Sequence, residues 1–311
     1  MSSHDILVVG GGAAGLSAAL VLSRARRDVV VVDAGNPRNA PAAHMHGFLS
    51  RDGMPPAELL ATGRTEVTEY GGTIIGGAVH ELVATDRPGF HALLDDGQQL
   101  AARRVLITTG LRDDLPAISG LTDRWAKDVL HCPYCHGWEV RDQPLGVLWN
   151  GPDTVRYAHI VRQWTDDLVL FAPAGALGSQ DRSQLTARSI DIVEGDVDHL
   201  VIEDDALHAV ALSDGRSMAR HAVFVPPHLT PHSELLAGLG CEIDDQGWVI
   251  TGPHGATSVP GVWVAGNVAN PKAQVITAAG EGSAAAIAIN TDLVEADIGA
   301  APDEIKDSLT P

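Results

Sequence analysis

The sequence reads as an α/β protein made of two similarly built nucleotide-binding-like domains, the second set inside the first. Three observations predict this. A continuous apolar run, Ile6-Leu7-Val8-Val9, passes directly into Gly10-Gly11-Gly12-Ala13-Ala14-Gly15. A second apolar run opens onto a glycine turn near Gly151, and Val262-Trp263-Val264-Ala265-Gly266 restores the first pattern late in the chain. At 311 residues there is enough chain for two cores.

An unbroken apolar run marks a strand buried on both faces of a parallel sheet, and residues 6–9 fit that description. Helical spacing of Leu16, Ala19, Leu20 and Leu22 follows, and Val29-Val30-Val31-Val32 forms the next buried strand, ending on Asp33. The result is Gly10-x-Gly12-x-x-Gly15 between strand and helix, with an acid after the second strand. Gly10 permits the tight turn, Gly12 lets backbone approach a pyrophosphate, Gly15 lets helix and sheet pack closely, and Asp33 accepts from ribose hydroxyls. In that setting the glycines indicate dinucleotide binding and not merely a glycine-rich turn.

Residues 36–50 read as a loop containing Pro37, Pro41, His44 and His46. Pro55-Pro56 precedes a helix that ends near Tyr70, where Gly71-Gly72 stops it. Short strands are predicted over 78–83 and 90–94, the latter followed by an Asp95-Asp96-Gly97 turn. Arg104-Val105-Leu106-Ile107-Thr108 then returns to the first sheet, with Thr109-Gly110 at its end near the nucleotide. Residues 115–120 read as a linker. The insert holds Cys132-Pro133-Tyr134-Cys135-His136-Gly137, a strand at 145–149, a helix at 154–164, and strands at 168–171 and 222–225. Beyond Cys241 the chain returns to the first domain. Residues 276–293 form a small-residue helix able to press on a cofactor or sheet, its amino end presenting unpaired N–H groups. The boundaries that follow are 1–115 and 246–295 for the first domain, 116–245 for the insert, and 296–311 for a loose tail.

Forty acidic against twenty-one basic residues give a net charge of −19. Such a chain lacks the Lys/Arg clusters that neutralise phosphate, which argues against nucleic acid and anionic membrane partners. Three cysteines cannot staple a scaffold, whereas one close pair and an odd thiol fit a cytosolic redox enzyme. The amino-terminal residues show no basic, cleavable leader and no apolar run reaches bilayer length, so a cytoplasmic location is expected.

Two thiols three positions apart can close a disulfide with little backbone movement, and His136 beside them can carry the proton that thiol chemistry moves. By spacing alone the pair is a redox couple or half a metal site. No second pair at finger spacing is present, so no metal is expected. His44 and His46 read as surface residues or as groups binding substrate or relaying a proton. Tyr134 and Trp138 read as substrate contacts or packing, and Cys241 as a small buried hydrophobe.

The first fingerprint, Thr109-Gly110, the cysteine turn and Gly261-Val262-Trp263-Val264-Ala265-Gly266-Asn267-Val268 occur in an order that resembles the low-molecular-weight thioredoxin reductases, over about residues 5–295. The resemblance implies two Rossmann-type domains, the second inserted into a discontinuous FAD domain, and a homodimer. It implies FAD with its adenosine diphosphate on Gly10, Gly12, Ala13, Ala14, Gly15 and Asp33, Gly266 and Asn267 at the ribityl chain, and Gln274 and Val275 at the isoalloxazine edge. It also makes Cys135 the flavin-proximal thiol and Cys132 the one that meets substrate.

Three departures from that family's pattern carry weight. Asn267 stands where the family has an acid, although an amide can still hydrogen-bond a hydroxyl. His136 stands where the family has Asp, and an imidazole can act as a base towards a thiol near neutral pH whereas an ordinary carboxylate is too weak. In the insert, Trp149-Asn150-Gly151-Pro152-Asp153-Thr154 replaces the glycine fingerprint, with Trp149 at the first glycine position, where it hinders the turn and crowds a pyrophosphate. Ala172-Pro173-Ala174 offers no Arg for a 2′-phosphate, and the strand at 222–225 ends on Pro226-Pro227. NADPH reduction is therefore not expected.

This combination, with Trp138-Glu139 after the turn, is similar to the dithiol oxidase branch of the family, the flavoenzymes that close disulfides in gliotoxin, holomycin and related natural products. It implies a small-molecule dithiol as substrate and O2 as acceptor, giving H2O2. The alternative is a thioredoxin-reductase-like enzyme using NADPH or a ferredoxin-type donor, with a thioredoxin-like protein as partner.

Overall fold

Strands without a polar face need a layer on each side, and the computed structural model supplies both. The structure describes residues 2–85 and 89–300. The chain divides into two units: the described residues of 1–40, 56–112 and 231–311 form unit 1, and those of 41–55 and 113–230 form unit 2. Unit 1 begins with β1 (Ser2–Val9), α1 (Ala13–Arg24), β2 (Val29–Asp33), α2 (Pro56–Glu69), β3 (Thr73–Gly76), β4 (Val79–Ala84), β5 (Phe90–Leu94) and β6 (Gln99–Ile107). After β7 (Leu111–Asp114), unit 2 holds β8 (Val129–Leu130), α3 (Pro133–His136), β9 (Leu145–Leu148), α4 (Thr154–Val161), β10 (Leu168–Ala172), α5 (Ser179–Ala187) and β11 (Ile190–Glu194). It continues with β12 (Val197–Glu203), β13 (Ala206–Leu212), β14 (Ser217–Ala219) and β15 (Ala222–Phe224). After β16 (His228–Pro231), unit 1 resumes with α6 (Glu234–Gly238), β17 (Val262–Val264) and α7 (Val275–Gly299).

The unit 1 sheet runs β3-β2-β1-β6-β5-β4, with β17 also paired to β6. Val8 of β1 lies in parallel register with Val31 of β2 and Leu106 of β6. Alternate residues serve opposite faces: Ile6, Val8, Val29 and Val31 pack towards α1 and α7, while Leu7, Val9, Val30 and Val32 pack on a second cluster with Leu82 and Leu94. The strand begins at Ser2, earlier than its apolar run, because Ser2 and Ser3 pair with Leu100 and Ala101 of the long β6. Unit 2 repeats the plan with the parallel sheet β11-β10-β9-β15-β8, and adds the antiparallel ribbon β12-β13-β14.

Several boundaries differ from the sequence reading, among them those of residues 41–55, which belong to unit 2 although they lie inside the 1–115 span read as the first domain. The return to unit 1 falls at Pro231, ahead of residue 245, because α6 carries Leu236 into the cluster holding Leu82, Leu94 and Cys241. Residues 296–299, read as the start of a loose tail, continue α7, where Asp297 pairs with Arg27 at 3.0 Å and also with Arg103. The remainder of that tail, residues 301–311, lies outside the described residues. Among the described residues no helix is long and apolar enough to cross a membrane.

The seam between α1 and α7 is made of small residues. A Cβ on Gly282 would lie 2.1 Å from the Ala14 carbonyl oxygen, so backbone meets backbone there. Gly280, on the same helix, faces open space. Gly282→Ala is expected to lower stability by about 1–3 kcal/mol through overpacking, whereas Gly280→Ala should be neutral or stabilising by up to about 1 kcal/mol. Urea unfolding midpoints of the two variants check this; equal midpoints would remove the close seam from the account.

Candidate functional site

In unit 1 the glycine turn leaves the carboxyl end of β1 beside β6, where the sheet's connections diverge, the usual place for a ligand in an open parallel sheet. Gly10 has φ +106°, and a Cβ there would lie 2.6 Å from the Thr108 carbonyl oxygen. A Cβ on Gly15 would lie 1.9 Å from the Gly10 carbonyl oxygen, whereas one on Gly12 would meet nothing within 4 Å. Those are the three roles the fingerprint requires: a turn, a close helix, and an open approach. Thr108 Oγ1 lies 2.9 Å from the Val9 carbonyl and 2.8 Å from that of Gly10, tying β6 to the turn. Gly110, with φ +74°, ends this stretch.

Asp33 accepts from the Gly35 N–H at 3.1 Å and from Arg64 Nη2 at 2.7 Å. Burial works against its charge, but the Arg64 hydrogen bond and the N–H groups of Gly35 and Gly11 outweigh burial and hold the carboxyl below its ordinary range. Arg64 gave no sequence signal, being one cation on a polar helix. Gly11 has its own reason: a Cβ there would lie 2.4 Å from Asp33 Oδ2. With the left-handed Gly10, the open side of Gly12 and the fixed acid, these residues fit the pyrophosphate and ribose of a dinucleotide such as FAD.

Gly266 and Asn267 follow β17. Asn267 Nδ2 donates to the carbonyls of Asn270 at 2.9 Å and Ala273 at 3.0 Å, and Arg38 Nη1 lies 3.5 Å from Oδ1. A carboxylate could not donate to those carbonyls, so the amide shapes its own loop. Glu281 of α7 accepts from the Gly266 N–H at 2.9 Å and from Asn270 Nδ2 at 2.7 Å, a role missed in the sequence. Gln274 caps α7 in extended conformation, with Val275 its first residue.

In unit 2 the matching turn is occupied by its own side chains. Trp149 is half-buried against the core cluster of Leu145, Val147 and Phe224. Asn150 Nδ2 donates to the Pro226 carbonyl at 2.8 Å, bridging the carboxyl ends of the adjacent strands β9 and β15, and the Asn150 N–H donates to Thr154 Oγ1 at 3.0 Å. At the end of β11, Glu194 accepts from the N–H of Gly175, just past β10, and from Arg182, which hold its carboxyl below the ordinary range, Arg182 acting most. A charged carboxylate therefore stands there, and the nearby guanidinium is already paired.

Cys132 and Cys135 form a disulfide with Cα atoms 5.1 Å apart. Cys135 and His136 both donate backbone N–H groups to the Cys132 carbonyl, at 3.0 and 3.1 Å. Two residues missed in the sequence hold this turn. The Tyr157 phenol, pushed well above its usual pKa by burial, donates to the His131 carbonyl just before the pair. Trp164 lies under Gly137, where a Cβ would come 2.7 Å from its ring, and takes the edge of Tyr134 at 5.6 Å. Tyr134 and Trp138 remain 66% and 65% exposed, the latter under the Arg141 guanidinium at 3.9 Å. Cys241 is buried in unit 1, its thiol pushed up by burial.

The loop bearing His44 and His46 belongs to unit 2. Met45 anchors it, exchanging backbone hydrogen bonds with Gly53 and Met54. His46 Nδ1 lies 3.3 Å from Asp52 Oδ2 and Nε2 3.5 Å from Glu139 Oε1. His44, His46, Lys127, His136 and Glu139 line one small open depression of about 130 Å³. His136 is half-buried; burial favours its neutral form, Glu139 pulls the other way, and His46 adds to burial.

The profile of the pyridine nucleotide-disulphide oxidoreductase family matches residues 4–282. A crystal structure of HlmI superposes with a TM-score of 0.95 and 51% identity, covering 99% of this chain and 98% of that one. A putative thioredoxin reductase TrxB from Bacillus anthracis gives a TM-score of 0.89 and 31% identity, covering 94% and 99%. Among curated proteins, thioredoxin reductase aclD of Aspergillus oryzae is 30% identical, covering 93% of this chain and 96% of its own.

The depressed His136 has a stability consequence. As the pH falls through about 6.5 the unfolded ring takes up a proton while the folded ring resists, so its contribution is complete above that value and is lost as the pH falls to the folded value. His136→Gln should therefore flatten the fall in unfolding free energy between roughly pH 7 and 5. Urea titrations across that range test it, and an unchanged slope would mean the ring is not desolvated.

Proposed function

The chain belongs to the pyridine nucleotide-disulphide oxidoreductase family as a thioredoxin reductase-like thiol-disulfide oxidoreductase with FAD as its cofactor, and from that premise we propose that it is a dithiol oxidase. Its reaction closes a disulfide in a small dithiol of the natural-product kind, with O2 as acceptor and H2O2 as the second product. The observation that carries this reading is the Asn150 bridge to Pro226, which puts protein where the insert of a reductase would take a nicotinamide nucleotide. The likeness to HlmI over nearly the whole chain supports the same branch.

His136, neutral at physiological pH, removes a proton from one substrate thiol. The thiolate attacks Cys132 Sγ, displacing the Cys135 thiolate and leaving a mixed disulfide. The second substrate thiolate attacks the substrate sulfur of that bond, so the product leaves oxidised and the cysteine pair is left reduced. FAD, held by Gly10, Gly12, Gly15 and Asp33, would supply the two-electron sink through which Cys132 and Cys135 regain their disulfide, with O2 as the final acceptor. Overall, one dithiol and one O2 give one disulfide and one H2O2. Tyr157 and Trp164 keep the turn in place while the disulfide opens and closes.

Cys132→Ser and Cys135→Ser should each abolish dithiol turnover while the protein stays yellow; turnover in both variants would end the relay. His136→Ala should lower the rate by about 10²–10⁴ near neutral pH and recover at high pH, where thiols ionise unaided. Rate against pH measures this, and a flat profile at the parental rate would leave His136 a turn residue only.

A further inference from the structure

His46 sits between two carboxylates, with Asp52 Oδ2 at one ring nitrogen and Glu139 Oε1 at the other. The ring is hydrogen-bonded to Asp52 and lies within ion-pair distance of Glu139 whenever it carries its second proton. It is held from behind as well: Asp52 Oδ1 accepts from the Gly47 N–H at 2.8 Å, and His44 Nδ1 lies 3.0 Å from the Gly53 carbonyl. The loop thus presents the His46 ring to Glu139 at the edge of the depression that His136 also lines.

We propose that His46 is a positioning residue for His136: by pairing with Glu139 it cancels that carboxylate's field and leaves the buried imidazole of His136 free to accept a proton. The proposal rests on the reading of His136 as the base. The charged and titratable groups around the depression are Glu139 on the segment after the redox turn, His46 and Asp52 on the loop, His44 beside them, and Lys127 ahead of β8. When His46 is protonated, it and Lys127 offset the charges of Glu139 and Asp52. Without His46 one negative charge is uncompensated next to His136, and the imidazolium of His136 gains what the neutral form loses. Glu139 on its own raises the proton affinity of that ring and His46 on its own lowers it, so the two act with opposite sign. Arg141 is turned aside onto the Trp138 ring and does not substitute for His46.

The test is a histidine-ring NMR titration of the disulfide form of the intact holoprotein, following His136 in the parent, His46→Gln, Glu139→Gln and the double variant. His46→Gln should raise the His136 midpoint by on the order of half a pH unit, Glu139→Gln should lower it, and the double variant should fall back towards the parent. His46→Lys, which keeps the charge, should titrate near the parent even if the loop adjusts. The acid limb of flavin bleaching by dithiothreitol should move with the same signs. An unchanged midpoint in His46→Gln, or shifts of the same sign in the two single variants, would overturn the proposal. Bleaching by dithiothreitol at the parental rate in His136→Ala would instead bring down the base assignment, while the midpoints still decide the charge balance.

Discussion

A strand that ends at the switch point of a parallel sheet leaves backbone groups and a crevice that something must fill. In unit 2 the Asn150 side chain fills it, donating across from the end of β9 to the Pro226 carbonyl at the end of β15. Trp149 adds bulk on the core side, and Glu194 puts negative charge at the end of β11, two strands over. A nucleotide entering there would have to break the Asn150 hydrogen bond between protein groups. Helix α4 of unit 2 supports the disulfide turn through Tyr157, with Trp164 just beyond its end.

Unit 1 shows the same architecture kept open. Its turn holds Gly10 in left-handed geometry, leaves the space beside Gly12 clear, and fixes Asp33 with Arg64 and two backbone N–H groups. Small residues at Ala14, Gly266 and Gly282 let α1, α7 and the segment after β17 approach to backbone distance. At the turns after β1 and β9, the two units therefore differ in a few side chains. Those residues leave the crevice of unit 1 clear and put the Asn150 hydrogen bond across that of unit 2.

Much of this was legible in the sequence, because it is written in local patterns. Unbroken valines announced buried strands, three glycines and an acid announced the cradle, and Cys132 to His136 announced the redox chemistry. Trp149 and Pro226 stood out as departures because each defeats a local backbone requirement. What could not be read depends on contacts between distant segments. Arg64 on Asp33, Tyr157 on His131, Trp164 under Gly137 and Glu281 on Gly266 each join residues that no spacing rule connects. The ribbon β12-β13-β14 escaped because short strands of mixed polarity carry little periodic signal. The allocation of the His44–His46 loop to unit 2 came only from packing, since its sequence neighbours on both sides belong to unit 1.

The central claim is that electrons enter through two sulfurs and not through a nicotinamide. The visible spectrum of the FAD-loaded protein, recorded anaerobically through additions of NADPH and then of dithiothreitol before air is admitted, tests it most directly. The account predicts a flavin band untouched by NADPH, bleached by the dithiol, and restored by air with release of H2O2. Rapid bleaching by NADPH would contradict it and return the enzyme to the reductases.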